Sequence, residues 1–216
     1  MSKTIIFDLD GTLTDSGEGI IKSVLYAYEQ LGIAAPGEEE LRTFVGPPLD
    51  VSFRNHGVPD ERNSEAIAFY RKVYNEGPYK FANRVYDGME EVLQNLQEEG
   101  YRLCVGTSKP EFLAKEILEH FHLAKYFTFI AGATLDVGRI TKSEVIAYLL
   151  EEIDGGDCLM IGDTIYDVEG TKQFQIPCIG VDWGYGKLED MKKAGAVAVV
   201  SDMEELQRAI HRQLSL

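Results

Sequence analysis

The chain has 216 residues, is 44% apolar and carries a formal net charge of −15. That length suits one large domain or a core with a smaller insertion, and the acidity argues against a nucleic-acid or anionic-membrane partner. It also repels anionic substrates, so any phosphate site here needs local positive charge from a metal ion, a lysine and backbone dipoles.

Cys104, Cys158 and Cys178 sit singly in apolar runs. Without a Cys-x-x-Cys pair they are expected to be buried free thiols in a reducing compartment. The chain shows no secretory leader pattern and no apolar run approaching membrane-span length. A cytoplasmic, membrane-free protein is the expectation.

In chain order, an apolar run, Ile5-Ile6-Phe7, ends on Asp8-Leu9-Asp10 and then turns at Gly11-Thr12. Strand geometry points two acids spaced by two the same way. Ser16 precedes a helix with Ile20, Ile21, Val24, Leu25, Tyr28 and Leu31 on one face, stopped by Gly32. From there to about Arg84 the sequence predicts no strand. Segments near 38–44, 49–56 and 67–74 read as helices separated by Gly46-Pro47-Pro48 and Gly57-Val58-Pro59.

Beyond Arg84 the rhythm changes to alternating helices and apolar strands. Strand runs are expected at Tyr101–Gly106, Phe127–Ala131, Cys158–Ile161, Cys178–Val181 and Val197–Val200, with a capping box from Asp202 and Glu205 opening the last helix. This pattern predicts a doubly wound, Rossmann-like parallel α/β core at 1–16 and 85–216, interrupted by an all-helical cap at 17–84.

Ligands of such sheets bind at the carboxyl ends of strands. Those ends carry Asp8 and Asp10, Thr107 and Ser108, and Asp163 with Asp167, while Lys142 opens a helix. This is a set for phosphoryl transfer through an enzyme aspartate. Asp8, Asp163 and Asp167 are candidate hard-oxygen ligands for Mg²⁺. Thr107 and Lys142 suit the phosphoryl oxygens, with Ser108, Lys109 and the backbone N–H groups of Gly11 and Thr12 as further substrate-binding candidates. An aspartate nucleophile needs a second acid to protonate the leaving alkoxide and later to deprotonate water; Asp10 is placed for both.

Asp8-Leu9-Asp10-Gly11-Thr12-Leu13, Thr107, Lys142 and Gly162-Asp163-Thr164-Ile165-Tyr166-Asp167, in this order, resemble the four motifs of the haloacid dehalogenase superfamily. Thr107-Ser108-Lys109-Pro110, Gly132-Ala133-Thr134-Leu135-Asp136 and the Trp183-Gly184-Tyr185-Gly186 loop resemble its phosphoglycolate phosphatase and 5′-nucleotidase-like branch. The resemblance implies that Asp8 is the nucleophile, that Asp10 is the acid/base, and that the Asp10 carbonyl joins Asp8 and Asp163 on magnesium. It further implies a small phosphorylated metabolite as substrate and a monomer or weak homodimer.

Some positions depart from that pattern. Relatives often place the lysine in a Lys-Pro pair, whereas Lys142 lies in Arg139-Ile140-Thr141-Lys142-Ser143; Lys109 is the alternative. Arg139 reads either as a phosphate ligand or as a surface arginine, and Trp183 either as a lid on the site or as packing. Arg42, Arg54 and Arg71 are cap candidates for a distal anion on the substrate. The rival functions are a phosphomutase of the same fold and a phosphoacceptor signalling module, which stops after one phosphoryl group.

Overall fold

The computed structural model describes residues 3–135 and 138–214; Asp136 lies outside them. The chain forms two compact units, Met1–Thr14 with Val85–Leu216, and Asp15–Arg84.

The first unit is built on six strands: β1 (Lys3–Phe7), β4 (Arg102–Pro110), β5 (Phe129–Ala133), β6 (Asp157–Gly162), β7 (Cys178–Val181) and β8 (Ala198–Val200). They lie in the order β5-β4-β1-β6-β7-β8, all parallel. Two-residue strands β2 (Thr14–Asp15) and β3 (Arg84–Val85) pair separately where the chain passes between the units. They are too short for a period-2 pattern to announce them.

The apolar strand runs lack polar alternation because both faces are covered. Ile5, Phe7, Leu103, Val105, Leu159 and Ile161 face the helices α5 (Met89–Glu98), α6 (Glu111–His120) and α10 (Met203–Gln213). Ile6, Cys104, Ala131, Cys158, Met160 and Cys178 face α7 (Lys142–Glu152), α8 (Ile165–Lys172) and α9 (Leu188–Ala194). All three cysteines therefore fall in one layer as buried free thiols. Burial pushes their pKa values up, that of Cys104 to about 11, which keeps them protonated and unreactive.

One strand differs from expectation. β4 continues past Gly106 to Pro110, with a register shift before Pro110 pairs with Ala133. The residue preceding proline, Lys109, is held extended, and Thr107 and Ser108 lie in the same strand. At α10, Asp202 accepts from Glu205 N at 2.7 Å, but the Glu205 carboxylate reaches Ser201 N rather than closing the box on Asp202.

The second unit holds α1 (Gly17–Leu31), α2 (Glu38–Arg42), α3 (Leu49–Asn55) and α4 (Asp60–Tyr74), followed by a 3₁₀ turn. Gly32 ends α1 in the left-handed conformation, φ 65°. Tyr28, Phe44 and Phe53 form its aromatic core, and Tyr70 stacks on Tyr74 at 5.2 Å. Arg54 is spoken for by Asp50 and Asp60, while Arg42 and Arg71 are exposed. No helix among the described residues is long and apolar enough to cross a membrane.

Candidate active site

The chain reverses its direction along the sheet at β1: the crossover to β4 and β5 runs one way, and β6 to β8 run the other. The crevice at such a switch point is where this architecture places ligands. Phe7 is in register with Val105 and Ile161, so the residues just beyond these three converge. They are Asp8, Thr107 and Asp163. Asp8 N bonds Ile161 O at 2.9 Å, and the Thr107 hydroxyl hydrogen-bonds the Asp8 carboxylate.

Lys142 arrives from the other layer. It is the first residue of α7, where the helix dipole disfavours a cation. Two carboxylates offset that: Lys142 Nζ lies 2.9 Å from Asp8 Oδ2 and 2.7 Å from Asp167 Oδ1, and it donates to Gly106 O at 3.0 Å. Its stem passes over Gly170, where a Cβ would come within 2.5 Å of Lys142 Cγ. The backbone ahead of it is fixed by a capping box, with Thr141 Oγ1 accepting from Glu144 N and the Glu144 carboxylate accepting from Thr141 N.

Asp163 and Asp167 are fully buried. Asp167 closes a second capping box: its Oδ2 accepts from Thr164 N at 3.0 Å and Thr164 Oγ1 at 2.9 Å. Asp163 Oδ1 accepts from Thr12 Oγ1 at 3.3 Å, and its Oδ2 from Tyr185 N at 2.8 Å. The loop delivering Tyr185 fits only because it is glycine-rich. A Cβ on Gly184 would overlap the Asp163 carboxylate and one on Gly186 the Asp163 carbonyl.

The turn after Asp10 works differently from expectation. Gly11 adopts φ 83°, and a Cβ there would strike the Asp163 carboxylate. Its N–H donates to Thr14 O, while those of Thr12, Leu13 and Thr14 converge on Leu9 O. These N–H groups close the turn on itself, and Gly11 and Thr12 serve to seat Asp163. Trp183 packs, its indole N–H donating to Thr12 O at 3.2 Å beside Tyr86.

The two lysines that the sequence left as alternatives have separate partners. Lys109 Nζ lies 2.9 Å from Asp10 Oδ2, whereas Lys142 Nζ lies 2.9 Å from Asp8 Oδ2. Asp10 Oδ1 is buried without a hydrogen-bond partner. Ser108 is half-buried beside them.

Burial, reinforced by the charge of Asp167, outweighs the opposing pull of Lys142 and of the Thr107 hydroxyl and pushes the Asp8 pKa up to about 7. Burial raises that of Asp163 well above the usual carboxylate range, reinforced by Asp167 and Asp8. Burial opposes the charge of Lys142, but Asp167 and Asp8 outweigh it and hold its pKa above that of a free lysine. Ligand oxygens of Asp8, Asp163 and Asp167 all lie within 4.8 Å of one another. When ionised, the three carboxylates face one ammonium with two negative charges in excess. A hard divalent cation fits that deficit and that all-oxygen donor set.

Sequence reasoning missed Thr164, Glu144, Glu111 and the Tyr185 N–H. The patterns Thr141-x-x-Glu144 and Thr164-x-x-Asp167 were legible as capping boxes. A backbone N–H that reaches a residue far away in sequence leaves no such signal.

A doubly wound sheet with buried aspartates and a lysine at its switch point defines an α/β enzyme built to handle a phosphoryl-sized anion. The model of the haloacid dehalogenase-like hydrolases matches residues 5–181, and the chain belongs to that family. A 5′-nucleotidase from Pseudomonas aeruginosa is 40% identical over 210 residues, 95% of this chain and 94% of that protein. The tyrosine-protein kinase PtkA of Mycobacterium tuberculosis is 36% identical, over 95% of this chain and 72% of the kinase. A solved structure of a predicted phosphatase from Clostridium acetobutylicum superposes with TM-score 0.92 at 42% identity, covering 98% and 99% of the two chains.

Proposed function

We propose that this protein hydrolyses a small phosphomonoester, of the phosphoglycolate or nucleoside monophosphate type, through an aspartyl phosphate on Asp8. The observation that carries the reading is the separation of partners: Asp8 is held by Lys142, and Asp10, two residues on, by Lys109. Two carboxylates in different surroundings take different roles.

An Asp8 oxygen attacks phosphorus and the ester P–O bond breaks. Asp10 gives its proton to the leaving alkoxide. Asp10, now a carboxylate, takes a proton from water as that water attacks phosphorus; the P–O bond to Asp8 breaks, releasing inorganic phosphate and regenerating Asp8. Lys142 and the Thr107 and Ser108 hydroxyls hold the phosphoryl oxygens. Asp8, Asp163 and the Asp10 carbonyl would hold Mg²⁺, with Asp167 positioning Lys142 because both of its oxygens are engaged by Thr164 and Lys142. When bound, the cation neutralises charge on the phosphoryl oxygens. Residues 17–84 serve as the cap that selects the alcohol part of the ester, and the buried thiols suit a reducing, cytoplasmic setting.

The test is a screen of phosphate esters with Mg²⁺, including 2-phosphoglycolate and nucleoside monophosphates, with Asp8→Asn as control. Multiple turnovers with phosphate released in step with alcohol support hydrolysis. Alcohol released without free phosphate would point to transfer onto another acceptor, as the kinase-named relative suggests. If the parent and Asp8→Asn behave identically, the reading fails.

A further inference from the structure

The sequence left Arg139 as a phosphate ligand or a surface arginine, and the structure makes it neither. Its guanidinium lies 3.8 Å above the ring centre of Tyr148 on α7. Nη2 contacts Glu111 Oε2 at 2.7 Å, and Nε donates to Gly132 O at 2.7 Å. The backbone of Arg139 is tied down as well: its N–H donates to Thr134 Oγ1, and its carbonyl accepts from Thr134 N at 2.7 Å.

Its side-chain partners belong to segments carrying a site lysine or, in the case of Gly132, pack against one. Glu111 follows Lys109-Pro110 and opens α6. Gly132 is pressed so closely against that turn that a Cβ would fall 2.7 Å from Lys109 O and Glu111 N. Arg139 itself lies three residues ahead of Lys142, and Tyr148 lies on the helix that Lys142 begins. The side chains of Arg139 and Glu111 are 16% and 21% exposed, so their charge-assisted bond is largely shielded from water.

We infer that Arg139 is a positioning residue, which with Glu111 locks the Lys109 and Lys142 segments into one register. This rests on the proposed phosphatase reading, because its kinetic consequence is the alignment of Lys142 with Asp8 and of Lys109 with Asp10. Neither Arg139 nor Glu111 touches either aspartate. Small misplacements of such groups lower turnover without weakening ground-state binding to the same degree.

The test compares parent, Arg139→Ala, Arg139→Lys, Glu111→Gln and the Arg139→Ala/Glu111→Gln double variant on p-nitrophenyl phosphate. Amide hydrogen exchange is followed over 107–111 and 138–144. The expected result is a loss of roughly 10-fold in kcat with KM held within about 2-fold. The double variant should be no worse than Arg139→Ala, because the shared contact is already gone. Arg139→Lys should not rescue, since a single ammonium cannot replace a fork that serves Gly132 and Glu111 together. Exchange should accelerate in both segments at once. A folded Arg139→Ala with parental kcat overturns the inference, as does a raised KM at parental kcat, which would make Arg139 a substrate ligand. If Arg139→Ala does not fold, Glu111→Gln and Arg139→Lys decide. An inactive parent sinks the phosphatase reading instead; exchange confined to 138–144 would then sink the lock.

Discussion

Lys109 Nζ sits 2.9 Å from Asp10 Oδ2, while the other oxygen of that carboxylate is buried and unpartnered. Asp10 is thus held by an ion pair through one oxygen, while its other oxygen has no hydrogen-bond partner. Asp8, by contrast, shares its lysine with Asp167.

Asp10→Asn should separate the two half-reactions. p-Nitrophenolate leaves without needing a proton, so Asp8 should still be phosphorylated, whereas water attack loses its base. We expect a burst of about one equivalent of p-nitrophenol followed by turnover lowered ~10²–10⁴-fold, read by stopped-flow absorbance. Steady turnover at the parental rate would remove Asp10 from the proton path.

The two lysines should fail differently. Lys142→Met is expected to lower kcat by ~10²–10³ on alkyl and aryl phosphates alike, because it removes charge at the phosphoryl group. Lys109→Met should hurt alkyl phosphates more than p-nitrophenyl phosphate, because it disturbs the proton donor. Comparing kcat/KM ratios across leaving groups distinguishes them, and identical profiles would show that the lysines share one role.

Metal-free protein should lose stability as pH rises. The folded-state pKa of Asp8, about 7, lies above its ordinary value of 3.8, so its contribution is full below about pH 4 and lost as pH climbs through about 7. Asp163 is raised in the same direction. Tm measured in chelator should therefore fall from pH 6 to pH 8, by about 2–4 °C per kcal/mol lost. Added Mg²⁺ should raise Tm more at pH 8 than at pH 6, since it binds the ionised carboxylates. A chelated protein that gains stability across that window would contradict the charge deficit assigned to the site.

Gly184→Ala places a methyl group against the Asp163 carboxylate and Gly11 O, so Asp163 or its loop must move. Mg²⁺ affinity should weaken by roughly 10–100-fold, the scale of supporting-group losses at metal sites, as read by calorimetry. Gly37→Ala, in the unit Asp15–Arg84, where the nearest neighbour of the new methyl is Glu40 Oε2 at 3.8 Å, is the control expected to leave affinity unchanged.

Most of the fold was legible because burial on both faces writes apolar runs into strands such as Cys178–Val181, which the structure matches end for end. The continuation of β4 through Thr107 to Pro110 was not, since polar residues at a sheet edge look like a loop. The site residues stood out because acids ending apolar runs are costly unless something binds them. The work of Gly11 and Gly184 was hidden, because steric closeness to Asp163 is a property of space and not of neighbours in the chain.

By itself the sequence determined the strand–helix alternation, the acids at the strand ends and the family to which they belong, since local pattern and residue chemistry suffice for these. Only the tertiary structure decided that Lys142 pairs with Asp8 and Asp167, that Lys109 pairs with Asp10, that Thr12 contacts Asp163, and that Arg139 contacts Glu111. Those assignments depend on distances of about 3 Å between residues far apart in sequence, and sheet order and register alone set such distances.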